Sequence, residues 1–189
     1  NPQGLDMHFT AANPDNNSQY AIHFGAASVG TKFVVYSDGD VQNHDNSYGA
    51  TSDQRIKDNI ADATSQWDDI KALKVRKFKL KDDIREYGAD KAKYKIGLVA
   101  QEAEAVSPNL INECAAGIND IKSDSTFGTL YEDGDEIPDG KKVGEIKEQK
   151  AKVKSLKYSI LYMKAIKALQ EAQTRIETLE TKVKTLEDA

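Results

Sequence analysis

The chain has 189 residues, of which 26 are Lys or Arg and 31 are Asp or Glu, leaving a net charge of −5. An acidic balance with one dense basic stretch, Lys74 to Lys81, excludes a general grip on nucleic acid, which needs clustered cations on an accessible face. The longest apolar runs fall far short of the ~18 residues of a membrane-spanning helix, and a single cysteine, Cys114, rules out an internal disulfide.

The first fifty residues are rich in Asn, Gly, Ser and aromatics, and the chain starts at Asn1, which reads as a piece of a longer polypeptide. Alternating runs at Tyr20-Ala21-Ile22-His23-Phe24 and Phe33-Val34-Val35-Tyr36, with a turn signal at Asp38-Gly39, predict short strands. Strands this short, with few large aliphatics, bury too little surface to fold securely alone, so they are expected to pair with copies of themselves. His8, His23 and His44 have no paired spacing and no nearby Cys, and read as β-surface residues, not metal ligands.

From Asp58 to about Leu110 the pattern is mixed. Thr64 or Ser65 is placed to cap a helix carrying Trp67, Ile70 and Leu73 on one stripe. Val75 to Leu80 reads as a half-solvated strand, Tyr94 to Val99 as a second strand, and Ala100 to Val106 as a short helix closed by Ser107-Pro108. Residues 113–149 form a Gly- and Asp-rich insertion suited to an exposed hairpin or loop. Its acids Asp133, Asp135 and Asp139 lack the ligand alternation and closing Glu of a calcium loop, so no metal and no cofactor is expected.

The last segment carries four unbroken heptads. Positions a fall at Tyr162, Leu169, Ile176 and Val183, and positions d at Tyr158, Ala165, Ala172, Leu179 and Leu186. Arg175 and Lys182 at g precede Glu180 and Glu187 at e, the charge match of parallel neighbours. The competing expectation is one amphipathic helix folded back on its own domain. β-branched a residues with Leu at d, as in Ile176-Leu179 and Val183-Leu186, favour two strands, whereas the β-rich segment favours three.

Between the β-patterned start and the mixed segment stands Ser52-Asp53-Gln54-Arg55-Ile56-Lys57, a hydroxyl five residues before an amine. A Ser hydroxyl needs a base to become a nucleophile, and a Lys amine serves only when uncharged. Lys57 must then be buried or crowded by cations, because an amine in water holds its proton to about pH 10.4. Arg55 is near enough in sequence to help. Five residues do not align on one helix turn, so a turned or extended backbone must bring the pair together. The alternative reading of Ser52 is a turn or capping residue with Asp53 in an interdomain loop.

Ser-Asp-x-Arg-x-Lys, followed by Gly97-Leu98-Val99-Ala100-Gln101-Glu102 and then by a Tyr-containing helix running into heptads, resembles the C-terminal intramolecular chaperone of phage tail spikes and fibres. That domain is a self-cleaving serine peptidase of the endosialidase type. The resemblance covers residues 52–189 and implies cleavage at Thr51-Ser52, with Ser52 as nucleophile, Lys57 as general base, and Asp53, Arg55, Gln101 and Glu102 as supporting groups. For Gln101 and Glu102 the alternative is an ordinary polar helix start.

The fold expected is α+β. A β-rich trimeric fibre end occupies residues 1–51 and a mixed α/β chaperone core residues 52–157, including the 113–149 insertion as an arm that clasps the stem. A helix over residues 158–189 forms a parallel trimeric coiled coil. The implied partners are two further copies and the fibre stem of the same chain, with a host-cell surface receptor for the mature fibre and neither nucleic acid nor membrane insertion. Assembly would take place in the host cytoplasm, leaving the fibre in the virion tail and the chaperone fragment released. The alternative function is a non-catalytic trimeric adhesin tip that stays attached and contacts a host receptor.

Overall fold

The computed structural model describes residues 19–37 and 39–189. They fall into two compact units, one ending at Ala61 and the other running from Asp62 to Ala189. His8 and Asp38 lie outside the described residues.

In the first unit, three antiparallel strands, β1 (Tyr20–Ala26), β2 (Gly30–Tyr36) and β3 (Val41–Asn43), form one sheet in sequence order. The β1 to β2 turn needs Gly30, whose φ of +72° is unfavourable for a residue with a Cβ. Phe24 pairs with Phe33 across the strands, their rings 6.0 Å apart. Gly39, at φ +90°, donates its N–H to the Tyr36 carbonyl and closes the next turn. Among the described residues of this unit only Val34 is buried, while Phe24, Tyr48, Ile56 and Ile60 are exposed. The sheet has ladder hydrogen bonds but almost no core, the deficit its composition predicts.

The second unit opens with helix α1 (Trp67–Ala72), then strand β4 (Arg76–Phe78), helix α2 (Lys81–Tyr87), strand β5 (Lys95–Gly97) and helix α3 (Ala100–Val106). Strand β6 (Ile111–Ala115), helix α4 (Ile118–Ser123), strands β7 (Gly128–Leu130), β8 (Ile146–Gln149) and β9 (Lys152–Leu156), and helix α5 (Tyr158–Glu187) complete it. The strands pair as three antiparallel ribbons, β4 with β5, β6 with β9 and β7 with β8. The core is made of small or medium side chains, Ala92, Ala103, Leu110, Ala116, Ile121 and Ala168. Leu110 ties the core to the long helix, its carbonyl accepting the Lys157 N–H at 2.8 Å just before α5 begins.

Three elements depart from expectation. Helix α2 stands where the sequence shows only the exit from a strand. Its signals are Asp82 and Asp83 in the first turn, which suit the positive end of a helix, and Gly88 at φ +82° just past the last. The 113–149 segment is not one loop. It holds the rest of β6, all of α4 and the β7 to β8 hairpin, leaving 131–145 as the open arm, where Asp135 accepts the Glu132 N–H at 2.9 Å and pairs with Lys147 at 2.6 Å. Thirdly, α1 starts one residue later than a Ser65 cap requires, for a reason that lies in α5.

Gly128 opens β7 because nothing larger fits. An added Cβ would stand 2.2 Å from the Glu148 carbonyl oxygen and 3.0 Å from Ile121 Cδ1. Gly128→Ala is expected to destabilise the second unit by about 2 kcal/mol or more, read as a lower urea midpoint.

Helix α5 is a continuous helix of 30 residues with two working faces. On one, Ala168 is buried and Lys164, Glu171 and Arg175 hold α1. The Glu171 carboxylate accepts the Ser65 hydroxyl at 2.8 Å and the Gln66 N–H at 3.1 Å, while the Ser65 oxygen accepts the Trp67 N–H at 3.4 Å, so the two residues share the start of α1. Lys164 bonds Asp69 at 2.7 Å and also Gln66, and the Arg175 guanidinium lies 4.1 Å from the centre of the Trp67 ring. In heptad terms these residues sit at c and g, so the intrachain contact leaves the a and d seam uncovered. Beyond Ala172 every residue of α5 is exposed.

The Ser65 hydroxyl holds the Glu171 carboxyl below its usual range, with the Gln66 N–H adding to the effect. A depressed folded-state value means that this contribution is present above the ordinary carboxylate value and is lost as pH falls through the lower, folded one. Trp67 is the one tryptophan, so its emission reports the contact. The α1 signal is expected to hold at neutral pH and to shift to the red only as pH drops below about 4.3. Glu171→Gln should show the red-shifted emission already at pH 7.

Candidate functional site

Ser52, Asp53, Arg55 and Lys57 belong to the first unit, on the segment that follows its sheet. Gln54–Ile56 forms a single 3-10 turn. Asp53 precedes it in extended backbone, φ −64° and ψ 137°, and Lys57 follows it in extended backbone, φ −115° and ψ 147°. The turn is closed by the Ile56 N–H on the Asp53 carbonyl at 3.2 Å and the Lys57 N–H on the Gln54 carbonyl at 3.1 Å. With one tight turn between two extended residues, the side chains at its ends fold toward each other. Lys57 Nζ donates to Ser52 Oγ at 2.6 Å.

Asp53 is the local anchor. One carboxylate oxygen accepts both the Arg55 N–H at 2.8 Å and Arg55 Nε at 3.0 Å, while the other accepts Nη2 at 2.7 Å. The fork from Arg55 holds the Asp53 carboxyl below its usual range, and the same pairing raises the guanidinium. The positive charge of Arg55 is thus spent on Asp53, where the sequence had suggested help toward the Lys57 amine.

All four side chains are exposed in the single chain, as is Thr51. The burial that base catalysis by Lys57 calls for is not supplied by the chain itself. The orientation of the pair is supplied; its removal from water is not.

Gln101 and Glu102 belong to the second unit, at the start of α3. Gln101 is exposed. Glu102 is taken up by Arg76 of β4, with Nη2 at 2.6 Å and Nε at 2.9 Å, and this fork lowers the Glu102 carboxyl below its usual range. The pair fastens α3 to the β4–β5 ribbon, a role the sequence did not assign to Arg76. Gly97 at the head of the same motif lets β5 pass close to Tyr158, since an added Cβ would lie 3.3 Å from the tyrosine oxygen.

Along α5 the a residues Tyr162, Leu169, Ile176 and Val183 are exposed, as are Tyr158, Ala165, Leu179 and Leu186 at d; Ala172 is half-buried. Four threonines, Thr174, Thr178, Thr181 and Thr185, return their hydroxyls to carbonyls one turn back, which keeps the face at c and f polar yet helical. Arg175, at a g position, lies over the Trp67 ring of its own chain.

His23 bonds Thr31 at 2.8 Å and His44 bonds Asp45 at 2.6 Å. Among the described residues no group of three or more His, Cys, Asp or Glu converges as a metal site requires, and no helix is long and apolar enough to cross a membrane.

Comparison with known proteins places one segment of the chain. No curated protein sequence matches it. One solved structure, described as the "crystal structure of a novel intramolecular chaperon", is similar at 20% identity over 66% of this chain and 99% of that chain, with a TM-score of 0.44. Residues 52–112 match the family designated Peptidase_S74 and described as chaperone of endosialidase, a span that begins at Ser52 and includes both the Ser52–Lys57 and the Gly97–Glu102 motifs. The match covers about a third of the chain, and it is this segment that is similar to the chaperone-of-endosialidase family.

Proposed function

We propose that the chain is the C-terminal end of a phage tail fibre or spike joined to an intramolecular chaperone, which aligns three copies and then removes itself by cutting Thr51-Ser52. The observation that carries this reading is the 2.6 Å hydrogen bond between Lys57 Nζ and Ser52 Oγ, formed by side chains five residues apart through a turn of their own.

The chemistry follows from that line. With the amine neutral, Lys57 takes the Ser52 hydroxyl proton as Oγ attacks the Thr51 carbonyl carbon. The C–N bond then breaks and the departing Ser52 nitrogen receives the proton from Lys57. This leaves Thr51 as an ester on Ser52 Oγ. Water hydrolyses the ester with Lys57 again as base, freeing the Thr51 carboxylate and a chain that begins at Ser52. Neither metal nor cofactor takes part.

Assembly gives the reaction its timing. A single chain orients the dyad but leaves it exposed, and neighbouring copies cover the site and remove water from it. The same copies satisfy the open a and d seam of α5 and supply a core to a sheet that has almost none. Holding three stems in register reduces the loop-closure entropy that slows intertwined β-structure. Once the cut is made, the stem is separated from the element that aligned it and is held by a high unfolding barrier.

The experiment is the mass of the purified, refolded protein. Two fragments are expected, one ending at Thr51 and one beginning at Ser52. A single uncut species in the fully assembled state overturns the reading and favours the attached adhesin.

A further inference from the structure

A serine and a lysine separated by four flexible residues would meet only rarely, because closing such a loop costs conformational entropy on every attempt. Here the connection is a defined turn, and one side chain accounts for its shape. Asp53 accepts three N–H donors, one from the backbone of Arg55 at 2.8 Å and two from its guanidinium at 3.0 and 2.7 Å. The backbone bond is that of a helix cap, which fixes where the turn starts. The guanidinium fork folds the Arg55 side chain back onto Asp53.

We infer that Asp53 is the positioning residue of the Ser52–Lys57 pair: by capping the 54–56 turn and clamping Arg55 it sets the backbone path that returns Lys57 Nζ to Ser52 Oγ. The inference rests on the self-cleavage reading and adds to it a division of labour inside the hexapeptide. Two other roles are open to these residues, and the geometry argues against both. A carboxylate already accepting three N–H donors, and held below its usual range by Arg55, is a weak proton acceptor, so Asp53 is not a second base. A guanidinium neutralised by a two-oxygen fork does not crowd the Lys57 amine with positive charge, so Arg55 is not its electrostatic activator.

The distinction is measurable in the full chain, refolded from denaturant, with cleavage followed by gel and assembly by sedimentation. Asp53→Ala is expected to slow cleavage by roughly 10- to 100-fold, the scale of a small misplacement of reacting groups, with the assembly state unchanged. Asp53→Asn keeps an oxygen for the Arg55 N–H and is expected to recover the rate to within about 5-fold of the unsubstituted chain, since Asn caps about as well as Asp. The midpoint of the pH–rate profile should stay in place in both variants, because positioning changes how often the pair meets and not the proton affinity of the amine. Cleavage of Asp53→Ala at the unsubstituted rate overturns the inference, and so does a rate change that only follows a moved midpoint.

If the unsubstituted chain is not cut at all, the self-cleavage reading falls, and the positioning role is judged separately. The probe is then the labelling rate of the Lys57 amine by acetic anhydride, read by peptide mass. A faster reaction in Asp53→Ala than in the unsubstituted chain supports the role, and equal rates overturn it.

Discussion

Ser52→Ala leaves the chain whole: after refolding and assembly, a denaturing gel shows one band where the unsubstituted protein shows two. The replacement removes the only atom in the hexapeptide that meets the Lys57 amine, Oγ at 2.6 Å, and changes little else because the site is exposed. Without the oxygen no ester can form, and the Thr51 amide is left to bulk water. The expected loss is at least about 1000-fold in cleavage rate, the scale seen when nucleophiles or their bases are removed. Lys57→Met should match it, since a hydroxyl without a base is a poor nucleophile and Met preserves the length of the side chain. Both variants should assemble normally, because neither residue contributes to the sheet or to α5. If either were cut at the unsubstituted rate, Ser52 and Lys57 would revert to a turn-forming pair.

Ile176→Asp with Leu179→Asp is expected to have the second largest effect, and to act from a distance. These positions are a and d of one heptad, and both are exposed, with no cover from the described residues. Placing two carboxylates at that level in every copy sets like charges in a seam that must be dry, and the assembled state loses several kcal/mol per copy. The variant should sediment as a monomer at micromolar concentration. Its α1 should remain docked, since Lys164, Ala168 and Glu171 lie on the other face. Cleavage should slow by more than about 10-fold in step with the loss of assembly, because the Lys57 amine is then never covered. Lys182→Ala on the rim of the same helix should change the assembly by under about 1 kcal/mol. A monomeric double variant that still cut itself at full rate would separate cleavage from assembly and remove the timing argument.

What the sequence made legible is what repeats locally. Helix α3 runs from Ala100 to Val106, the span its apolar pattern and Ser107-Pro108 predict, and α5 starts at Tyr158, the first d position. The strands around Ile22 and Val34 followed from alternation. Helix α2 was missed because Ile84 and Tyr87 are too few apolar residues to show a period, although Gly88 marked its end. Strands β6 and β9 were missed for another reason: Glu113 faces Lys154 across more than forty residues of chain, and nothing within five residues of either shows the pairing.

The site divides in the same way. Ser52, Asp53, Arg55 and Lys57 lie within six residues, so their conjunction was readable, while the pairing of Arg55 with Asp53 was not. The Ser65 hydroxyl accepts the Trp67 N–H at 3.4 Å, as a capping residue does, and also donates to Glu171, 106 residues on. That partner could not be found from its neighbours, because its position follows from how α5 lies across α1.

The anchorage of α5 has a mechanical consequence. The helix is held at Lys164, Glu171 and Arg175 and, among the described residues, runs on exposed to Glu187, a cantilever of roughly 18 Å. A tilt of about 10° at the Trp67 clamp would carry the tip sideways by roughly 3 Å, just over half the rise of a helical turn. If α5 pairs with copies of itself as proposed, the clamp aims that pairing, and damage at Trp67 or Glu171 should appear as misalignment at the far end of the helix.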